Sequence, residues 1–148
     1  GGRTLPREVV VHPGAVVILP ILDERRIVML RTVRHSVGEE LLELPAGTCE
    51  PGEPIVETAR RELIEETGYR ARSINPLGEF YASPGVMTEM MHAFVATGLE
   101  ACGQSLEPDE RIVPEVVELE RVRRMLSSAE LRDGKTIATL GLYFARMS

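Results

Sequence analysis

Three glutamates carry the first chemical suggestion. Glu62, Glu65 and Glu66 stand at i, i+3 and i+4, spacings that on an α-helix place three carboxylates on one face within roughly 6 Å of each other. Like charges so close repel, and an ordinary solvated face would intersperse lysines at these spacings; none is supplied here. A hard divalent cation resolves the repulsion, because Mg²⁺, Mn²⁺ and Ca²⁺ take carboxylate oxygens. Mg²⁺ also keeps positions open for water and phosphate oxygens, which suits a phosphate-bearing substrate. Alone, the three glutamates would equally suit a wet helix surface, since Glu is a good helix former. Their flanks add weight to the cation reading. Gly47 and Gly52 bracket a short loop ahead of the helix, Glu50 and Glu53 add carboxylates, and Gly68 follows the last turn. Arg61 is placed to orient a carboxylate through a bidentate ion pair.

These residues need a scaffold. Residues 54–67 carry Ile55, Ala59 and Leu63 at i, i+4 and i+8 and predict the helix that holds the glutamates, with Gly68 as its C′ residue. Residues 8–12, 15–19 and 27–33 are rich in Val, Ile and Leu and predict strands, with Asp23-Glu24-Arg25 as a hairpin turn. Residues 78–83, 90–97 and 112–118 predict three more, the last at an edge or bulge because of Pro114. Two further helices are expected over residues 120–131 and 136–147, the latter with Ile137, Leu140 and Phe144 on one face. Strands around a central helix, with more helix at the C-terminus, predict a mixed α/β or α+β sandwich rather than a doubly wound parallel sheet.

The 148 residues and 16.4 kDa fit one domain over residues 1–148, long enough to bury a core without staples. Its longest apolar run, residues 14–22, has nine residues with Pro20 inside, about half of the roughly 20 a membrane helix requires. No small-residue cleavage site follows it before Asp23-Glu24-Arg25-Arg26, so a signal peptide is not expected either and cytoplasmic placement is. The net charge of -6 and the lack of a basic stripe disfavour nucleic-acid partners. An acidic protein acting on an anionic substrate needs divalent cations or a few placed arginines. Cys49 and Cys102 sit in no metal-binding spacing; a disulfide between them stays open.

The stretch from Gly47 to Tyr69 resembles the Nudix box: Gly, five residues, Glu, seven residues, Arg-Glu-aliphatic-x-Glu-Glu-x-Gly-apolar. Gly47, Glu53, Arg61, Glu62, Leu63, Glu65, Glu66, Gly68 and Tyr69 meet it in full. A chance match is on the order of 10⁻⁹ per starting position at average residue frequencies. The resemblance implies a Nudix-type α/β/α sandwich with a mixed sheet and a central loop-helix-loop, and a hydrolase that cuts a diphosphate using Mg²⁺ or Mn²⁺, two or more ions. It further implies Glu62 and Glu66 as principal metal ligands, Glu65 joining or supporting them, and Glu50 and the Ala46 carbonyl as additional ligands. Arg61 and Glu53 become structural partners within the motif.

A second resemblance, to the ADP-ribose pyrophosphatase group, rests on Phe80-Tyr81-Ala82-Ser83-Pro84-Gly85 and Glu89, with Pro84 sixteen residues after Gly68. Leu42-Glu43-Leu44-Pro45-Ala46-Gly47, His12-Pro13-Gly14-Ala15-Val16 and Asp109-Glu110-Arg111-Ile112 are similar to that group too. It implies hydrolysis of ADP-ribose to AMP and ribose 5-phosphate by in-line attack of a metal-activated water. Glu110 then best fits the catalytic base, with Glu107 and Asp109 as competitors. Arg34 corresponds to an arginine that contacts phosphate or ribose, with Arg31 its rival; Pro84, Gly85 and Glu89 are further substrate-side candidates. A homodimer is implied, with a short N-terminal β segment (about 1–13) taking part. The departure is at the base-binding end: no Phe, Trp or Tyr precedes Tyr69, so an aromatic clamp cannot come from the N-terminal region. Another nucleoside diphosphate sugar such as GDP-mannose is therefore the alternative substrate, and a non-catalytic ligand sensor a distant one.

Overall fold

Ala15–Pro20 (β1) is buried on both faces, and its alternation assigns each residue to one of two cores. Val16 and Ile18 pack with Ala59, Leu63, Ile74, Phe94 and Ala96. Ala15, Val17 and Leu19 point the other way, toward Met29, Leu44, Val117, Val122 and Leu140. A strand with two apolar faces needs cover on both sides, and that requirement generates the layers. The structure, a computed structural model, describes residues 4–108 and 110–147.

The remaining elements are β2 (Arg26–Arg34), β3 (Glu39–Glu43), β4 (Ala46–Thr48), α1 (Ile55–Thr67), β5 (Tyr69–Tyr81), β6 (Met90–Ala101), β7 (Ile112–Glu118), α2 (Leu119–Ser127) and α3 (Gly134–Met147). They form a four-stranded sheet in the order β4-β1-β6-β5 and a three-stranded sheet in the order β3-β2-β7. β1 and β6 run parallel while the other pairs are antiparallel, so the sheet is mixed as expected. Helix α1 covers one face of the larger sheet; the smaller sheet, α2 and α3 contribute to the core on the other. Among the described residues no helix is long and apolar enough to cross a membrane.

Several local expectations need correction. Residues 8–12 form no strand, only the single bridge Val10↔Met87, with Val9, Val10 and Val11 exposed at 54%, 58% and 83%. A β-branched run becomes a strand through its neighbours, and Pro13 and Gly14, at φ 100°, turn the chain before it finds one. β3 and β4 are additional strands without a local signal: Glu-Glu-Leu-Leu-Glu lacks strict alternation, and β4 is three residues long. β5 begins nine residues earlier than residue 78, its polar first half held by pairing with β6 rather than by burial. α2 stops at Ser127 instead of residue 131, where Ala129 adopts φ 58°. On α3 the buried positions are Thr136, Thr139 and Leu140, while Ile137 stays 37% exposed. A turn forms at Asp23, its carboxylate accepting from the Arg25 and Arg26 amides at 2.9 Å each, but it does not close the expected hairpin: β1 and β2 belong to different sheets, and only the single bridge Ile21↔Ile27 crosses the turn. Pro114 lies on β7, an edge strand of its sheet. Cys49 and Cys102 are free thiols.

Gly68 ends α1 at φ 73°, its N–H bonded to Ile64 O at 2.9 Å. A Cβ there would lie 2.9 Å from the Gln104 nitrogen and 3.1 Å from the Gly103 carbonyl carbon. Handedness and space both demand glycine. Gly68→Ala should therefore destabilise the fold by more than about 1 kcal/mol, read as a lower urea midpoint at unchanged m; an unchanged midpoint would contradict the close approach of the two segments.

Candidate active site

The last two turns of α1 face a cleft of about 1130 Å³. Arg61 organises its acidic wall. Its guanidinium donates to Glu53 (Nε to Oε1 3.2 Å, Nη2 to Oε2 3.1 Å), to Glu62 Oε1 at 2.8 Å and to Glu65 Oε2 at 3.2 Å. Thr58 Oγ1 donates to Glu53 at 2.8 Å. Arg61, followed by Thr58, holds the Glu53 carboxyl below its ordinary range. Glu50 stands at the edge of this cluster, 3.9 Å from Arg61.

Glu66 is held differently. It is 8% exposed, and its Oε2 accepts the Ala46 N–H at 2.9 Å. The Ala46 amide is available because of register. Ile18 N–H bonds to Pro45 O, so Ala46, opposite Val17, falls at a non-hydrogen-bonded position of the β1–β4 pair, with its N–H and C=O directed away from β1. Gly47 gives the neighbouring glutamate room: a Cβ there would lie 2.0 Å from the Glu62 carboxyl carbon. Burial pushes the Glu66 pKa up to about 8, with the charges of Glu62 and Glu110 adding to it and the Ala46 N–H and Arg34 opposing. Glu62 rises to about 7, again chiefly through burial, against the attraction of Arg61.

Among the described residues no three His, Cys, Asp or Glu side chains already surround one point as a metal requires. The reason is visible: Arg61 occupies Glu62 and Glu65, and Glu66 leans on Ala46. The donor set nevertheless fits a hard cation. It offers carboxylate oxygens at a half-buried position where ionisation is costly without a countercharge, and a glycine where a side chain would obstruct Glu62.

Two basic side chains, Arg34 and Lys135, line the same cleft. Arg34, at the end of β2, forks onto Glu43 with Nε to Oε1 at 2.8 Å and Nη2 to Oε2 at 2.7 Å. Glu43 is 1% exposed and also accepts from Lys135 Nζ, which bonds Asp133 at 2.9 Å. Asp133 caps α3 through the Thr136 N–H at 3.0 Å. Glu89 enters from the loop before β6, with the His12 Nε2 3.6 Å from it. Glu110 enters from the loop before β7 and folds back to accept the Glu107 N–H at 2.8 Å.

Of the residues singled out from sequence, Ala46, Glu50, Arg61, Glu62, Glu65, Glu66, Arg34, Glu89, Glu107 and Glu110 line one cleft. Asp109 lies outside the described residues. Arg31 is not among the lining residues: one β2 position away from its neighbours Thr32 to Arg34, it binds Glu115 at 2.6 Å and Glu40 at 3.4 Å. Pro84 and Gly85 also stay out of the lining, on an exposed turn closed by the Val86 N–H to Ser83 O bond at 3.1 Å, while Ala82 and Glu89 beside it reach the cleft. Glu43, Asp133 and Lys135 had no role assigned from sequence. The one available signal was a lone acid inside the apolar run of residues 41–44 and an Asp-Gly-Lys at a helix start.

The NUDIX domain family model matches residues 11–140. The chain belongs to the Nudix family. It is 41% identical over 137 residues to an ADP-ribose pyrophosphatase of Bacillus subtilis (strain 168), covering 91% of this chain and 74% of that protein. It is 37% identical over 139 residues to a GDP-mannose pyrophosphatase of Escherichia coli O1:K1 / APEC, covering 86% and 71%. A solved structure described as that of an ADP compounds hydrolase superposes with a TM-score of 0.81 over 90% of this chain and 72% of that one, at 24% identity. The α/β/α Nudix fold is thus shared, and divalent cations are the general cofactor of Nudix hydrolases.

The two raised carboxyls set a pH dependence in this Nudix domain. An unfolded glutamate loses its proton near 4.5, whereas Glu62 and Glu66 keep theirs to about 7 and about 8. Between those values the folded state binds more protons, so stability falls as pH rises and levels off above about 8. Metal-free protein should melt at a lower temperature at pH 8 than at pH 5.5, Mg²⁺ should recover most of the difference, and Glu66→Gln should flatten the slope. A melting temperature that climbs over this range would refute the assignment.

Proposed function

We propose that this Nudix domain is a cytoplasmic, Mg²⁺-dependent hydrolase of the diphosphate bond of ADP-ribose, releasing AMP and ribose 5-phosphate. The observation that carries the reading is that the α1 carboxylates share one cleft with Arg34 and Lys135. A nucleoside diphosphate sugar presents the matching chemistry, anionic phosphates between two uncharged ends. Its likeness to the Bacillus subtilis enzyme supports the ADP-ribose choice.

Glu62 and Glu66 would hold the Mg²⁺ or Mn²⁺, two or more ions, with Glu65, Glu50 and the Ala46 carbonyl completing the shell. Bound there, the cation screens the diphosphate and lowers the pKa of a water. The protein does the rest. Arg61 fixes Glu62 and Glu65 through the contacts described above. Arg34, already oriented by Glu43, places a phosphate oxygen through its guanidinium edge. Glu110 takes the proton from the water as its oxygen attacks phosphorus in line with the breaking P–O bond. Glu89, held toward His12, serves a ribose hydroxyl or the water; Pro84 and Gly85 shape the loop that carries the approach to it. Glu107 is the competing base.

A second reading is GDP-mannose or a related nucleotide sugar, supported by the likeness to the Escherichia coli enzyme. Phe80 packs against the core and Tyr81 is 55% exposed, so neither marks the site for adenine in particular. A homodimer through the N-terminal segment is part of the proposal; Val9 to Val11 and Val86 leave apolar surface there.

Purified protein incubated with Mg²⁺ and, separately, ADP-ribose, GDP-mannose and UDP-glucose should release AMP from ADP-ribose, and EDTA should abolish it. Turnover of GDP-mannose alone would keep the chemistry and replace the substrate; no turnover at all would favour a ligand sensor. Glu66→Gln should remove most activity at saturating Mg²⁺ with the fold intact. Glu110→Gln should lower kcat by about 100-fold with little change in KM if Glu110 is the base; a rise in KM alone would make it a substrate contact.

A further inference from the structure

The segment between β6 and β7 closes α1 as well as carrying Glu110. The last carbonyls of a helix have no intrahelical donors, and this segment supplies them. Ser105 N–H donates to Glu65 O at 3.0 Å, and the Cys102 and Gly103 N–H groups both donate to Gly68 O, at 2.7 and 3.1 Å. Gln104 Nε2 donates to Glu66 O at 2.7 Å and again to Ile112 O at 3.2 Å. A primary amide nitrogen carries two hydrogens, so both are spent. One holds the helix residue that bears the buried carboxylate, and the other holds the first residue of β7, two positions after Glu110.

A single nitrogen therefore ties both ends of the loop that contains Glu107 and Glu110. Within the loop, Glu110 N–H donates to Glu107 O at 3.1 Å and Glu107 N–H to the Glu110 carboxylate at 2.8 Å, which ties the two glutamates to each other. Backbone approach at Gly68, where no Cβ fits against Gln104, seats the tie against the helix. We propose that Gln104 is a positioning residue: its side-chain amide, bridging Glu66 O and Ile112 O, sets the separation between the α1 carboxylates and the Glu110 loop. The inference rests on the reading of that loop as the source of the base. No other common side chain of this length does the same: Met has the shape without donors, and an ionised Glu would set its oxygens against two carbonyl oxygens.

The test compares wild type with Gln104→Met and with Gln104→Asn, which keeps the amide but shortens its reach, on whichever nucleotide sugar turns over. Each variant should lower kcat by about tenfold with KM within about twofold, as a small misplacement of a reacting group does. Amide hydrogen exchange over residues 105–111 should accelerate while β1 and β6 stay protected, showing that the fold persists. In a Glu110→Gln background, Gln104→Met should cost nothing further, since the group it positions is already gone. Accelerated exchange with unchanged kcat, a rise in KM alone, or losses that multiply in the double variant would overturn the proposal. If Glu110→Gln itself turns over normally while Gln104→Met is slow, the base assignment fails and the tie stands, acting through Glu107 or the α1 end.

Discussion

Keeping several carboxylates close together and partly out of water is the constraint on which the rest of this molecule depends. Glu62, Glu65 and Glu66 share one face of α1, and Glu66 is almost wholly enclosed. Charged oxygens in such a place cost free energy through lost hydration and mutual repulsion. Arg61 offsets part of the cost by reaching Glu53, Glu62 and Glu65 with one guanidinium, whose planar fork suits several acceptors at once. The Ala46 N–H offsets another part. What remains uncompensated is an affinity for a countercharge, and the proposed metal dependence is the use made of it.

Each constraint reaches into the scaffold. The Ala46 amide is free to serve Glu66 because β4 is a short edge strand with Ala46 at the outward-facing register position. β4 is held there by β1, whose two buried faces anchor α1 on one side and the smaller sheet on the other. Gly47 and Gly68 mark where the site presses against backbone, one under the Glu62 carboxylate and one against the segment at Gln104. The glycines of the motif are therefore packing residues as much as turn residues.

The basic side chains of the cleft are held by a separate device. Glu43 is buried more completely than any acid on α1, yet it is matched by a bidentate arginine and a lysine. A buried ion group of this kind contributes little net stability, because desolvation consumes much of the attraction. Its structural effect is orientation: it joins β2, β3 and the start of α3 and holds Arg34 and Lys135 at the cleft that the glutamates line.

The helix, its glycine terminator, the acidic face and the family were legible in the sequence because they are local. Spacings of three and four residues on a helix place side chains without reference to anything distant, and the Nudix box is confined to one loop and one helix. β1, β2, β6 and β7 were legible for the same reason, as apolar runs bounded by turns. β4 and the first half of β5 are not legible locally because they owe their conformation to partners far away in sequence; β3 pairs in a hairpin with its neighbour β2, but Glu-Glu-Leu-Leu-Glu hides it by lacking alternation; and residues 8–12, which have strand-forming residues but only a single bridge, stay irregular. Arg31 and Arg34 differ in position by three on one strand, and only the fold decides that one faces Glu115 and the other the cleft. Glu43 and Lys135 carry only a faint local signature and Gln104 none; the bonds that give them their roles, to Arg34, Glu43, Glu66 and Ile112, span 8 to 92 residues. Local spacing determined which groups could do chemistry, and long-range packing decided which of them meet, since a contact between distant segments exists only once the core has brought them together.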